Sequence, residues 1–331
     1  MADGTGMELA GKRVLVTGAT GFVGGTLAQR LAGLGAEVTG TGRRLDRAAW
    51  LEALGVRLAS LDITDPSTWG TLLENQQVIF AVAAWTGRDD EDAARKANVE
   101  APAALVRAAA EAGVARVVHV STAGVYGLPA VDRVTEDTPI DIAQSATYER
   151  SKALGEQRVR AAAEEAGVEL VVVRPGMVYG PRSRAWTVGM LKLVQGGTPV
   201  LLGDSSGNAF PVYIDNLVDA LLLAATVPAA AGEVFQLVDE PVPWEQWFGY
   251  FGAMCGRKPR RLPGLVAKPL ALLAEKLPLG LPLSRSRLAF LSRKLVFPTD
   301  KAGRVLRWTP EVDPDEGMRR SEAWLREQGR L

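Results

Sequence analysis

Short apolar runs alternate with Ala-rich helical stretches through the first half of the chain. Residues 14–17, 37–41, 57–61, 78–83, 116–121 and 170–174 are rich in Val, Leu and Ile and lack polar alternation, as strands covered on both faces should. Between them, 27–34, 47–54, 101–112 and 148–165 read as helices. Strand, helix, strand, helix predicts an α/β fold, and six such strands with right-handed crossovers make a doubly wound parallel sheet. After Pro175 the rhythm changes. Residues 176–208 are turn-rich, 212–225 read as a strand end entering a helix, and the chain beyond 241 is rich in Pro, Trp and Arg, with an amphipathic stretch at 265–276. The expected division is a disordered leader at 1–11, a doubly wound domain over 12–175 to which 209–240 returns, and a smaller C-terminal lobe from 176–208 and 241–331.

Composition narrows the chemistry. Among 331 residues, 38 Lys plus Arg balance 38 Asp plus Glu, so no nucleic-acid partner is implied. One Cys (Cys255) and one His (His119) exclude disulfide frameworks and Cys/His zinc sites. His119, between Val118 and Val120, is expected as a hydrogen-bonded core histidine, and Cys255 as a small buried hydrophobe. No stretch reaches the roughly 18 apolar residues of a membrane span, and the start lacks a signal-peptide pattern, so a cytoplasmic protein is expected.

The turn Gly18-Ala19-Thr20-Gly21-Phe22-Val23-Gly24 follows the first strand and opens the first helix. Glycines there let backbone approach a pyrophosphate, and the helix N-terminus offers it free N–H groups, although such turns also serve tight packing alone. An NAD site usually has an acid at the end of the second strand. Here Gly42-Arg43-Arg44 stand instead. Paired guanidiniums suit a 2′-phosphate, which favours NADP over NAD; the competing reading of Arg43 and Arg44 is a solvated loop. Asp62-Ile63 can meet an adenine edge, or Asp62 can simply cap a turn. Tyr148 and Lys152 lie four apart on one helix face, with Ser121-Thr122 upstream. A nearby ammonium together with an oxidised nicotinamide would stabilise a phenolate and suit Tyr148 to proton exchange with a hydroxyl or carbonyl, with Thr122 holding the substrate oxygen.

Residues 17–24 (TGATGFVG), Asn98-Val99, 120–127 (VSTAGVYG), 148–152 (YERSK), 174–182 (RPGMVYGPR) and 212–216 (VYIDN) together resemble the extended short-chain dehydrogenases/reductases, a group that takes in NAD-dependent epimerases/dehydratases and 3-beta-hydroxysteroid dehydrogenase-like proteins. The resemblance covers about residues 12–240. It implies a Rossmann-type sheet, Tyr148 as acid-base, Lys152 on the nicotinamide ribose and Thr122 on the substrate oxygen. It further implies that Asn98, Pro175 and Val178 lie against the cofactor, with Ala83 and Ala84 along its ribose-phosphate path. A homodimer through the helices near Ala101 and Tyr148 is also expected by likeness.

Three departures bear on the branch. Ala123-Gly124 stand where sugar dehydratases carry acids, Met177 stands where nucleotide-sugar enzymes often have Asn, and Ala209-Phe210 where an Arg would grip a diphosphate. Trp85, Met177, Trp186 and Met190 can line an apolar substrate site, or build core, and 262–283 reads as an apolar lid. The expected activity is NADP(H)-dependent interconversion of a ketone or aldehyde with an alcohol, on a small molecule of apolar body. The alternatives are a nucleotide-sugar epimerase with tightly held cofactor and a nonenzymatic dinucleotide sensor.

Overall fold

The computed structural model describes residues 9–87, 89–276 and 285–331. In chain order these form β1 (Arg13–Thr17), α1 (Phe22–Gly33), β2 (Glu37–Gly42), β3 (Arg57–Ser60), β4 (Val78–Ala81), α2 (Glu91–Arg95), α3 (Ala101–Glu111), β5 (Arg116–Val120), α4 (Thr147–Ala166), β6 (Glu169–Pro175) and β7 (Met177–Tyr179). There follow α5 (Met190–Gln195), β8 (Pro199–Leu202), β9 (Asn208–Ala209), β10 (Pro211–Tyr213), α6 (Ile214–Thr226), β11 (Val234–Leu237), β12 (Val242–Pro243) and α7 (Trp244–Cys255). The described chain ends with β13 (Arg260–Leu262), α8 (Gly264–Lys276), α9 (Arg285–Ser292), α10 (Asp300–Leu306) and α11 (Pro314–Glu327).

Seven strands make the main sheet in the order β3-β2-β1-β4-β5-β6-β11, and every neighbouring pair is parallel. Six were expected; β11, from the returning segment, adds the seventh beside β6. The reversal of strand order at β1 and β4 opens a crevice beyond their C-terminal ends, where ligands of such sheets bind. Side chains alternate cleanly between two cores. Val14, Val16, Phe80, Val118, Val120, Val171 and Val173 meet Leu27 and Leu31 of α1 and Leu217 and Leu221 of α6. Leu15, Ile79, Val117 and Val172 meet Leu105, Val106 and Ala109 of α3 and Val159 and Ala162 of α4. Burial on both faces is why these strands carry no polar alternation; each such Val or Leu contributes about 1.5–3 kcal/mol.

Several local expectations change. The segment Leu45–Leu54 is a run of 3-10 turns, stopped by Gly55, and not an α-helix. Strand β4 ends at Ala81, so Ala83 and Ala84 lie in the crossover that leaves the sheet. The leader is not loose up to residue 11: Leu9 is 2% exposed in the main core, and the Gly11 amide donates to the Gly35 carbonyl. Within the expected apolar lid, residues 277–283 lie outside the described residues, and α8 turns Leu265, Leu272 and Leu273 to solvent. Among the described residues no helix is long and apolar enough to cross a membrane.

Candidate active site

A cleft of about 2200 Å³ runs along the C-terminal ends of the central strands. Its floor begins at the β1–α1 turn. Gly18 has φ +72, and a Cβ on it would stand 2.9 Å from the Ala83 backbone, while a Cβ on Gly24 would meet the Gly18 carbonyl at 2.4 Å. Glycine is therefore required for the positive φ of Gly18 and for the close approach of α1 to the turn at Gly24. The Gly21 cap has no side chain over the first amides of α1, which open on the cleft together with Thr20, Phe22 and Val23. The Thr17 hydroxyl accepts from the Val82 and Ala83 amides at 3.0 and 3.1 Å and pins the crossover beside the turn. This cradle fits a dinucleotide: it joins free N–H groups, a helix N-terminus and no side chain in the path.

At the end of β2, Arg43 lines the cleft as expected, but Arg44 is exposed and does not. The chain turns into its 3-10 run at Leu45, and that run presents Arg47 and Trp50 to the cleft instead. Sequence reasoning missed both, because their spacing from Arg43 depends on the kind of helical turn. A Cβ at Gly42 would lie 2.5 Å from the Thr20 side chain, so no acid fits there while Thr20 holds its place. Asp62 and Ile63 line the same end. One Asp62 oxygen accepts from the Thr64 amide at 2.9 Å and the Thr64 hydroxyl at 2.8 Å, and those bonds hold the carboxyl below its usual range. Asp62 thus caps a turn that also borders the cleft.

Asn98 does not line the cleft. It is buried behind it, accepting from the Trp85 amide at 2.8 Å and donating to the Trp85 carbonyl and the Ser151 hydroxyl at 3.0 and 2.9 Å. Gly155 makes room, since a Cβ there would stand 1.9 Å from the Asn98 carbonyl oxygen. Asn98 therefore fixes the strip Ala83-Ala84-Trp85, whose residues do line the cleft.

Tyr148, Lys152 and Thr122 meet in the middle of the cleft wall. The Thr122 hydroxyl accepts from the Gly124 amide at 3.1 Å, which caps the turn Ala123–Tyr126 and leaves its own proton available. Lys152 is 2% exposed, and its ammonium donates to the Val120 carbonyl at 2.8 Å. Burial lowers Lys152 to about 8 against the opposing pull of Glu156. Tyr148 moves the other way: burial, then the Glu149 carboxylate, push it up to about 12. Among the protein's own groups, burial and the Glu149 carboxylate thus favour the phenol form of Tyr148. His119 is buried with neither ring nitrogen hydrogen-bonded among the described residues, and burial, then Lys152, holds it well below its ordinary value and neutral. Cys255 is only half-buried.

Beyond the pair the cleft carries Arg182, Arg184 and Lys192 and also an apolar stretch of wall. Pro175, Met177, Val178 and Trp186 line it, joined by Leu128, Val188, Phe210 and Phe290. Met190 does not, nor does any described residue of the expected lid between Leu262 and Lys276. Phe290 reaches the wall from α9 and stacks edge-on against Phe210, 5.8 Å between centroids, a contact no local pattern announces. Arg182, in the left-handed region at φ +73, lies over the Trp50 ring at 4.4 Å and donates to the Thr26 hydroxyl, tying the segment after β7 to α1.

Residues 14–237 match the model of the NAD dependent epimerase/dehydratase family. The chain belongs to that family. Within it, this family member is 33% identical to a UDP-glucose 4-epimerase of Mycolicibacterium smegmatis, over 68% of the chain and 76% of the relative. It is 28% identical to a 2-alkyl-3-oxoalkanoate reductase of Stenotrophomonas maltophilia, over 94% of the chain and 98% of the relative. The solved structure of epimerase Mth375 from Methanothermobacter thermautotrophicus superposes with a TM-score of 0.82 at 23% identity, covering 98% of this chain and 95% of that one. This epimerase/dehydratase member is thus a nicotinamide-dinucleotide enzyme acting on CH–OH groups, as its sequence motifs imply.

Proposed function

We propose that the protein is an NADP(H)-dependent oxidoreductase that interconverts a ketone or aldehyde and the corresponding alcohol on a substrate with an apolar body. The observation that carries this is the pairing of Tyr148 and Lys152 with a wall of Met177, Trp186, Phe210 and Phe290 in one cleft. A nicotinamide dinucleotide bound along the Gly18–Gly24 turn would supply the hydride. Tyr148, a phenol at neutral pH, gives the proton to the carbonyl oxygen, and the free proton of Thr122 holds that oxygen in place. Lys152 holds the nicotinamide ribose. Arg43 and Arg47 favour the 2′-phosphate of NADP, and the crowding of Gly42 by Thr20 disfavours the acid that would grip NAD. The near full-length likeness to an oxoalkanoate reductase supports the same substrate class.

The test is NADPH consumption against aliphatic ketones, aromatic aldehydes, sterols and nucleotide sugars. Turnover of an apolar carbonyl with NADPH preferred over NADH is expected. A second reading, nucleotide-sugar epimerisation with retained cofactor, is favoured by the likeness to a UDP-glucose 4-epimerase. Its marks are oxidised cofactor in the purified protein and tight binding of UDP. A cytoplasmic homodimer through the outer faces of α3 and α4 belongs to the proposal, and size-exclusion mass measurement tests the dimer.

A further inference from the structure

Behind the cleft wall lies a polar assembly that the proposed chemistry does not use. Glu156 is fully buried on α4, one turn beyond Lys152. Its carboxylate accepts from the Ser121 hydroxyl at 2.7 Å and from Arg174 Nε at 3.0 and 3.1 Å, with a further bond from Arg174 Nη2. Arg174, 2% exposed at the end of β6, is itself fixed by Nη1 bonds to the Tyr126 hydroxyl at 2.7 Å and the Glu136 carbonyl at 3.1 Å. Tyr126 in turn donates to Gln236 of β11 at 3.2 Å.

The arrangement has a register. Lys152 binds the Val120 carbonyl and Glu156 binds the Ser121 hydroxyl, so two successive turns of α4 hold two successive residues at the end of β5. The next residue is Thr122. A buried ion pair gains little stability over apolar groups of equal volume, so the fold alone does not call for this one. We infer that Glu156, braced by Arg174, is a positioning residue for the reaction: it sets the strand end that carries Thr122 and places a carboxylate one turn of α4 from Lys152 at the cleft wall. This rests on the proposed oxidoreductase chemistry.

The titratable groups around Lys152 are Tyr148 and Glu149 one turn back on α4, Glu156 one turn on, neutral His119 from β5, and Arg174 from β6 behind Glu156. Of these, Glu156 is the anion that favours the charged lysine against burial. Removing its charge lets the ammonium lose its proton at lower pH.

The experiment follows Lys152 directly by NMR of isotope-labelled lysine side chains in the full-length protein, with Lys152→Arg to assign the signal, alongside the pH profile of NADPH-dependent reduction. In Glu156→Gln the Lys152 midpoint falls by about one pH unit, and the alkaline limb of kcat/KM falls with it. Because Glu156→Gln leaves Arg174 buried and unpaired, Glu156→Gln/Arg174→Met is the second variant: it restores thermal stability and keeps the lowered midpoint. Glu169→Gln breaks the Arg116 ion pair at the far end of β6 and leaves Lys152 unmoved. A wild-type Lys152 midpoint in a folded variant lacking the Glu156 charge overturns the inference. If the wild type reduces no carbonyl yet the midpoint still falls, the oxidoreductase reading fails while the electrostatic hold of Glu156 on Lys152 stands.

Discussion

The Lys152 ammonium donates to the Val120 carbonyl oxygen at 2.8 Å, which locks helix α4 to the end of strand β5 at the one place where the cleft holds Tyr148 and Thr122 together. That bond satisfies one donor of a buried cation and leaves the others to turn toward a ligand.

Tyr148→Phe removes the proton donor without changing the shape of the cleft. Turnover falls by about 10²–10⁴-fold, the usual share of a positioned acid-base group, while the dissociation constant for NADPH changes little. Steady-state kinetics and fluorescence titration of NADPH check the two halves separately.

The wild-type pH profile follows from the two shifts. Tyr148, raised to about 12, stays a phenol across the working range. Lys152, lowered to about 8, is charged below that pH and loses its charge as pH rises through it. In the reductive direction kcat/KM therefore has an alkaline limb near pH 8. A profile flat to pH 10 would contradict the part given to the ammonium.

Cofactor choice is set at the end of β2. Arg43→Ala or Arg47→Ala each weakens NADPH use relative to NADH by about 10- to 100-fold, the scale of a hydrogen bond to a charged group at 1.5–3 kcal/mol. Gly42→Asp alone does not create an NAD enzyme, because its Cβ collides with Thr20 at 2.5 Å; Gly42→Asp with Thr20→Gly does. Ratios of kcat/KM for the two cofactors decide this.

Asn98→Ala strands the part-buried amide of Trp85 and one bond to Ser151, and costs about 1–3 kcal/mol in urea denaturation. Gly155→Ala drives a methyl group onto the Asn98 carbonyl and destabilises more than Asn98→Ala does.

The parts legible in the sequence were those fixed by local rules. Strand composition announced a sheet buried on both faces, the glycine turn announced the cradle, and the four-residue spacing of Tyr148 and Lys152 put both on one helix face. Arg47 stayed hidden because a 3-10 run places side chains differently from an α-helix. Phe290 and Glu156 stayed hidden for another reason. Their partners, Phe210 and Ser121 with Arg174, are distant in sequence, and nothing local marks a residue for such contacts. Asn98, expected against the cofactor, sits behind the cleft with its side-chain amide on Trp85 and Ser151, a placement set by long-range partners that the sequence does not mark.

The most direct test of the central claim is the fate of a deuterium carried at C4 of NADPH when the protein meets apolar ketones and aldehydes. The account predicts deuterium on the carbinol carbon of the alcohol product, one NADP⁺ formed per alcohol, and loss of both in Tyr148→Phe. Interconversion of a UDP-sugar with no net consumption of NADPH, and no deuterium in any alcohol, would contradict it.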